Sequence, residues 1–321
     1  LWIKGNLTFE RNGIRNVHVV LEGDYRNTSY GLKIPVQLDQ LIFKGSASQR
    51  FYTDQGWWVL PHYEWTDGIK VDKSGGDVEI DDIMYLNRIY FVKGYINNRY
   101  GLLTLSGSEP VIGGNANAYI MDGSGASYSV GVMLDSKDPK LNGAFQAWKN
   151  GQIEIPLGHP SVGYFPIRLM NKDKENSWRV IWRGSAAADY SGELLASTLD
   201  SLAGGYGQNI TNEYGHWHVF RESGSTKTQV AVSTAANPFD PSETVLAWKK
   251  FTSTRLDDPW NNGGGTISSS FLTGTGTYFD SDHSVVFALG QSRPKPSLLL
   301  SEEQPEFNGS DLESAGQAPN S

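Results

Sequence analysis

His216-Trp217-His218 is the sharpest chemical constellation in the sequence. On a strand, residues i and i+2 face the same side, so both imidazoles could reach one metal ion. A zinc site needs a third and a fourth ligand, and no further motif supplies them. The expectation is therefore no metal and no cofactor. The plainer alternative is an exposed strand face with Trp217 turned into a core. In "NKDKEN", Asn171, Asp173 and Glu175 alternate as in a calcium loop, but the loop's glycine and distal glutamate are missing. A polar turn is the better reading, as it is for Asp280 and Asp282. Paired carboxylates for glycoside hydrolysis meet in space and not in sequence, so 35 Asp+Glu point nowhere in particular. Nucleophile-elbow, zincin, Walker and dinucleotide-binding glycine patterns are absent, and Gly263–Gly265 lack the Lys-Ser/Thr of a phosphate cradle. With no cysteine, disulfides, thiolate metal sites and cysteine nucleophiles are excluded. The chain is expected not to be an enzyme.

Aromatic residues carry more information. "GWWVLPHYEW" holds Trp57, Trp58, Tyr63 and Trp65, and adjacent tryptophans on a strand send one ring outward. Flat rings beside Asn, Asp and Gln can hold sugars by stacking. The alternative is that they fill a core or an interface. Trp217 joins these candidate glycan-facing residues.

The elements that must position such residues are strands. Among 321 residues, 12% are aromatic and 36 are glycine, a profile that fits pleated surfaces and turns. "VHVVLEGDY" alternates through Val17, Val19 and Leu21. "LKIPVQLDQLIFKG" alternates from Leu32 to Leu38 and then slips to Leu41 and Phe43. "INNRY" reads as a hairpin turn, and "NKDKENS" and "ESGSTK" read as turns between paired runs. Leu194, Leu195, Thr198, Leu199 and Leu202, between Ser191 and Gly204-Gly205, predict one short helix. No fixed period of 20–50 residues repeats, which speaks against a solenoid or propeller. The predicted class is an all-β sandwich or barrel. Net charge is −8 with no Lys/Arg cluster, so nucleic acid is not an expected partner. No apolar run is long enough to span a bilayer. The absence of an initial Met and of a signal-peptide pattern suggests a processed form.

"LWIKGNLTFE" places Leu1, Ile3, Gly5, Leu7 and Phe9 on one face. A strand of that kind suits donor-strand complementation, in which alternate side chains enter the pockets of a neighbouring, incomplete sandwich. Mid-strand Gly5 would ease close approach.

Several stretches resemble the K88-type (F4-type) fimbrial subunits and adhesins of the chaperone–usher pathway. "WIKGNLTFERNG" is similar to their donor segment. "IPVQLDQLIFKG" and "QGWWVLPHYEWTDG" resemble early strands. "GYFPIRLMNKDKENSWRVIW", "SGELLASTLDSLAGGYG" and "HSVVFALG" resemble a strand pair, a helical insertion and a late strand. The resemblance implies an immunoglobulin-like β-sandwich with insertions and one short helical segment. It implies a donor strand at 1–12 and a sandwich over 13–292, in which 75–140 would be an insertion, while composition and not the resemblance makes 293–321 an extended acidic, Pro/Ser-rich tail. It further implies a cell-surface fimbrium assembled from copies or homologous subunits by a periplasmic chaperone and usher. A host-cell glycan receptor would bind near the helical insertion, where Tyr206 falls on a matching aromatic position. The block 75–140 has no counterpart in that family, and no strand closes the chain. The competing reading is a viral or phage coat or spike protein, with the tail as an inter-subunit arm.

Overall fold

The computed structural model describes residues 2–9, 17–27, 38–53, 68–80, 83–86, 88–98, 102–121, 129–135, 137–138, 144–145, 148–160, 162–170, 176–183, 215–225, 227–235, 237, 239–250, 260–279 and 284–291. These residues form an all-β structure, as the alternation predicts. The predicted helix, Tyr206, the tryptophan-rich stretch and the tail lie outside the described residues.

The first half winds into successive turns. β1 (Trp2–Ile3) and β2 (Leu7–Phe9) make the first, and β3 (Val17–Leu21) and β4 (Tyr25–Asn27) the second. β5 (Leu38–Gly45) and β6 (Gln49–Thr53) make the third, and β7 (Ile69–Ile80) and β8 (Ile83–Leu86) the fourth. β9 (Ile89–Asn97) and β10 (Leu102–Leu105) follow, then β11 (Val111–Ile112), β12 (Ile120–Met121) and β13 (Ser129–Asp135). Each strand pairs in parallel with its counterpart one turn away. Trp2 lies beside Val20, Val20 beside Ile42, Ile42 beside Lys70, Lys70 beside Tyr90 and Tyr90 beside Ile112. This is a parallel β-stack in which each turn covers the one before, contrary to the expectation drawn from the missing repeat. The intervals vary from 18 residues (2 to 20) to 28 (42 to 70), so no period survives in the sequence. Within the block 75–140, expected as an insertion, the end of β7 and all of β9, β11 and β12 pair in this parallel sheet.

Inward columns hold the stack together. Val19, Leu41, Ile69 and Ile89 are successive partners, as are Leu21, Phe43, Val71 and Phe91, and all are buried. Each such burial is worth about 1.5–3 kcal/mol. Tyr25, Phe51 and Ile80 form a further column, with the Tyr25 and Phe51 rings edge to face at 5.1 Å.

The second half is antiparallel. After the small pair β14 (Lys137–Asp138) and β15 (Ala144–Phe145) come β16 (Ile153–Ile155), β17 (Leu157–His159), β18 (Gly163–Tyr164), β19 (Ile167–Met170) and β20 (Ser177–Arg183). β21 (His216–Ser223), β22 (Gln229–Ser233), β23 (Thr244–Lys250), β24 (Asn261–Asn262), β25 (Thr266–Ser268), β26 (Phe271–Thr273) and β27 (Ser284–Gln291) complete it. An eight-stranded sheet runs β24-β23-β27-β21-β20-β13-β10-β8, so its parallel end belongs to the stack and its antiparallel end to the sandwich. A five-stranded sheet, β16-β19-β22-β26-β25, packs on its inner face. There the Phe165 and Trp182 rings stack at 4.6 Å and 5°, and Trp178 meets Phe279 edge-on at 4.9 Å. One hydrophobic cluster runs from Val19 to Leu289 and joins both halves in a single core.

The expected donor segment lies inside this architecture. Trp2 and Ile3 pair with Val20 and Leu21, and Leu7 and Phe9 with Tyr25 and Asn27, all in the same chain. A bend at Lys4–Gly5 breaks the strand in two, so Gly5 lies at a corner of the first turn. Leu1 lies outside the described residues.

Candidate functional site

The expected glycan-facing residues divide. Trp57, Trp58, Tyr63, Trp65 and Tyr206 lie outside the described residues. Trp217 is a core residue: it is 1% exposed, and its Nε1 donates to the Phe165 carbonyl at 3.0 Å. A ring committed on its faces and at its N–H cannot stack on a sugar, so Trp217 drops from the site. His216 and His218 do share one side of β21, with ring centroids 4.8 Å apart, as their spacing predicts. They are buried and not on an exposed face, because that side of the sheet is covered too. It carries Val245, Ala247, Val286, Ala288 and Trp260, and Lys249 lies over the Trp260 ring at 4.9 Å. Among the described residues no third His, Cys, Asp or Glu joins the pair in a metal-binding group.

The structure assembles a different constellation where the stack meets the sandwich. Ile96 and Ile120 are partners in the core column, so their preceding neighbours Tyr95 and Tyr119 both point out of it. Their ring centroids lie 4.6 Å apart, and Tyr119 lies 5.8 Å from Tyr164 on β18. Gly158 lets the row form: a Cβ there would come 2.8 Å from Tyr119 Cε2, so only a bare backbone fits beneath the ring. The Tyr164 hydroxyl donates to Glu154 Oε1 at 3.4 Å. Arg168 grips Glu154 Oε2 from Nε at 2.9 Å and from Nη2 at 2.8 Å. Its guanidinium carbon sits 3.7 Å from the centre of the Phe271 ring. Glu154 and Arg168 are direct partners across β16 and β19, which sets their pairing.

Three half-buried or buried tyrosines thus lead to an ion pair whose side chains remain 36% (Glu154) and 29% (Arg168) exposed. The Tyr119 and Tyr164 hydroxyls stay protonated. Burial, reinforced by Tyr95, pushes Tyr119 up to about 12. Burial, reinforced by the charge and hydrogen bond of Glu154 and opposed by Arg168, raises Tyr164 as well. Tyr119 is 3% exposed, so the row presents only its ends outward: Tyr95 on one side, and on the other Tyr164 with the Glu154 carboxylate and the Arg168 guanidinium. Both Glu154 oxygens already accept hydrogen bonds, an arrangement that suits orientation better than proton transfer.

The sequence gives part of this away. "IEI" and "IRL" alternate, so Glu154 and Arg168 are legible as outward residues. Nothing in the spacing joins them to Tyr95 or Tyr119, which arrive through the parallel stack. Among the described residues no helix is long and apolar enough to cross a membrane. Comparison with protein-family models, curated proteins and solved structures finds no match to this chain.

Proposed function

We propose that the chain is a non-enzymatic, extracellular assembly and attachment protein of the coat or spike kind. The observation that supports this best is the parallel stack continuing through one core into a sandwich. Each turn adds about 4.8 Å of hydrogen-bonded layer, so such a body is stiff and needs no disulfide. Its sides offer long ordered surfaces on which side chains recur in register, a geometry suited to holding a receptor or a neighbouring subunit. The fimbrial reading places the same activity on a donor strand. The pairing of Trp2–Ile3 and Leu7–Phe9 with their own chain weighs for the spike reading over donor exchange.

Immunogold microscopy with antibody to the purified chain tests the proposal on intact cells and on virus particles from the source. Label on the outer surface of either is the expected result. Label confined to the interior of permeabilised cells overturns it.

A further inference from the structure

One wall of the stack carries an inference that deepens the assembly part of that reading and rests on it. We infer that the outer face of β1, β3, β5, β7, β9 and β11 is the interface of a two-fold symmetric dimer, its occupant a second copy of this chain.

Three observations converge. First, this wall is apolar on its solvent side. Its outward column reads Trp2, Val20, Ile42, Lys70, Tyr90 and Ile112, one residue per rung. The two most exposed large hydrophobic side chains among the described residues, Trp2 at 58% and Val92 at 50%, both lie on it. A sheet face that stays in water carries polar residues, so an outward apolar column marks a contact surface. Second, the neighbouring column alternates in charge. Lys44 pairs with Asp72, and Asp72 with Lys93. Glu22 follows Leu21 as Lys44 follows Phe43, the partner of Leu21. Glu22, Lys44, Asp72 and Lys93 thus read negative, positive, negative, positive from rung to rung. Such a ladder has no net attraction for a partner of one charge sign, but it complements its own reverse. Third, both columns reverse about the same point. A two-fold axis along the strands, between β5 and β7, sets Lys44 against the partner's Asp72 and Glu22 against the partner's Lys93. The same axis sets Ile42 on the stem of the partner's Lys70, Val20 on the partner's Tyr90 and Trp2 on the partner's Ile112. Each contact occurs twice, and no like charges meet.

This is a closed, isologous arrangement, which ends at two copies. The apolar column supplies the buried area, and the ladder fixes the register. Six rungs at about 4.8 Å and a width of about 20 Å give roughly 500 Å² on each protomer, which meets the total of about 1,000 Å² that a specific interface needs. Lys44 Nζ lies 3.6 Å from Asp72 Oδ2 within its own chain, but the two side chains stay 44% and 22% exposed and have room for a second partner. Trp2 meets the partner's Ile112 only at the two ends, so the four central rungs carry the contact.

The test is sedimentation equilibrium of the purified full chain at micromolar concentration, where twice the chain mass is expected. Lys44→Glu and Asp72→Lys each turn two attractive contacts into two repulsive ones and should weaken the dimer by about tenfold or more. Mixing the two variants is the decisive step. Glu at 44 in one copy then faces Lys at 72 in the other, and Asp72 faces Lys44, while the repulsion inside each chain persists. The mixture is therefore expected to recover the dimer, which an effect on folding would not reproduce. Should a charge variant fail to fold, Val92→Glu decides alone: it sits at an exposed position, brings a carboxylate toward the partner's Glu22, and should weaken the dimer while leaving the melting temperature of the monomer unchanged. A full chain that sediments as a monomer, undiminished dimers in the single variants, or a mixture that stays monomeric each overturns the inference. The two readings fail separately. External label on a monomeric chain overturns the dimer alone, whereas purely internal label overturns attachment whatever the mass.

Discussion

Lys73 Nζ lies 2.6 Å from Gln49 Oε1, and that contact laces three turns of the stack together. Gln49 Nε2 donates to the carbonyls of Leu21 and Gly23 in the turn before, and Lys73 donates to the Ala47 carbonyl beside Gln49. Lys73 and Gln49 are both buried, and Gly94 makes room: a Cβ there would collide with the Lys73 stem. Burial lowers the Lys73 pKa, opposed by the charges of Asp77 and Glu22. Gln49→Ala takes one acceptor from a buried ammonium that keeps the Ala47 carbonyl and is expected to cost about 1.5–3 kcal/mol. Lys73→Met, which keeps the volume, should cost about 1–3 kcal/mol. The double variant should be less destabilised than the sum by at least about 1 kcal/mol. Urea unfolding of the four proteins reads this directly, and strict additivity would mean the contact is not a functional lock.

Alkaline pH should loosen the fold through its tyrosines. Burial raises Tyr25 and Tyr164, and it pushes Tyr119 and Tyr278 up to about 12. In the unfolded chain these phenols titrate near 10. Above that value the unfolded state sheds protons that the folded state keeps. Their contribution is therefore complete below about pH 10 and is lost as pH rises toward the folded values. Each tyrosine steepens the decline by about 1.4 kcal/mol per pH unit. Tyr278 gives the clean case, since its buried hydroxyl makes no hydrogen bond among the described residues. Tyr278→Phe should be neutral or stabilising by up to about 1 kcal/mol at pH 7 and should flatten the alkaline limb. Urea midpoints measured from pH 7 to 11 check both statements.

Local pattern was legible and pairing was not. The slip between Leu38 and Leu41 is a β-bulge, where Val17 faces Leu38 but His18 faces Gln40. "INNRY" runs from the end of β9 toward β10, and its Arg99 and Tyr100 lie outside the described residues. β9 and β10 form no hairpin with each other, because β9 pairs with β7 and β10 with β8. "NKDKENS" and "ESGSTK" likewise join strands of different sheets. Alternation reports which side of a strand is buried and is silent on which strand lies beside it. A parallel stack with unequal intervals therefore carries the same alternation as the sandwich beside it, and the all-β class was legible for both. For the same reason Glu154 and Arg168 could be read as outward residues while their tyrosine neighbours could not be named.

Trp217 separates a packing role from a sugar-binding role. Its indole fills the space against Phe165 and spends its N–H on a backbone carbonyl. Trp217→Phe removes that bond and part of the ring, and it should cost about 1–3 kcal/mol. Thermal melts of the two proteins check the cost, and full stability in the variant would contradict the packing described here.

The first turn decides between closed assembly and strand exchange. Ile3 accepts from Glu22 N at 2.9 Å, and Trp2 Nε1 donates to Glu22 Oε1 at 2.9 Å under the Lys44 ammonium, so the segment is anchored in its own chain. A chain that fills its own groove has no strand to lend. Full-length protein is then expected to sediment as one discrete species across a hundredfold range of concentration. Unheated gel electrophoresis should show no ladder of head-to-tail multimers, since open heterologous contacts are what generate ladders. Deleting residues 1–9 uncovers the β3 edge and should lower the melting temperature without changing the oligomeric state. If the deletion instead abolishes a heat-sensitive ladder, and a synthetic peptide of residues 1–9 caps the truncated chain as a monomer, the strand is exchanged between copies. In that case Ile3, Leu7 and Phe9 do their work in a neighbour.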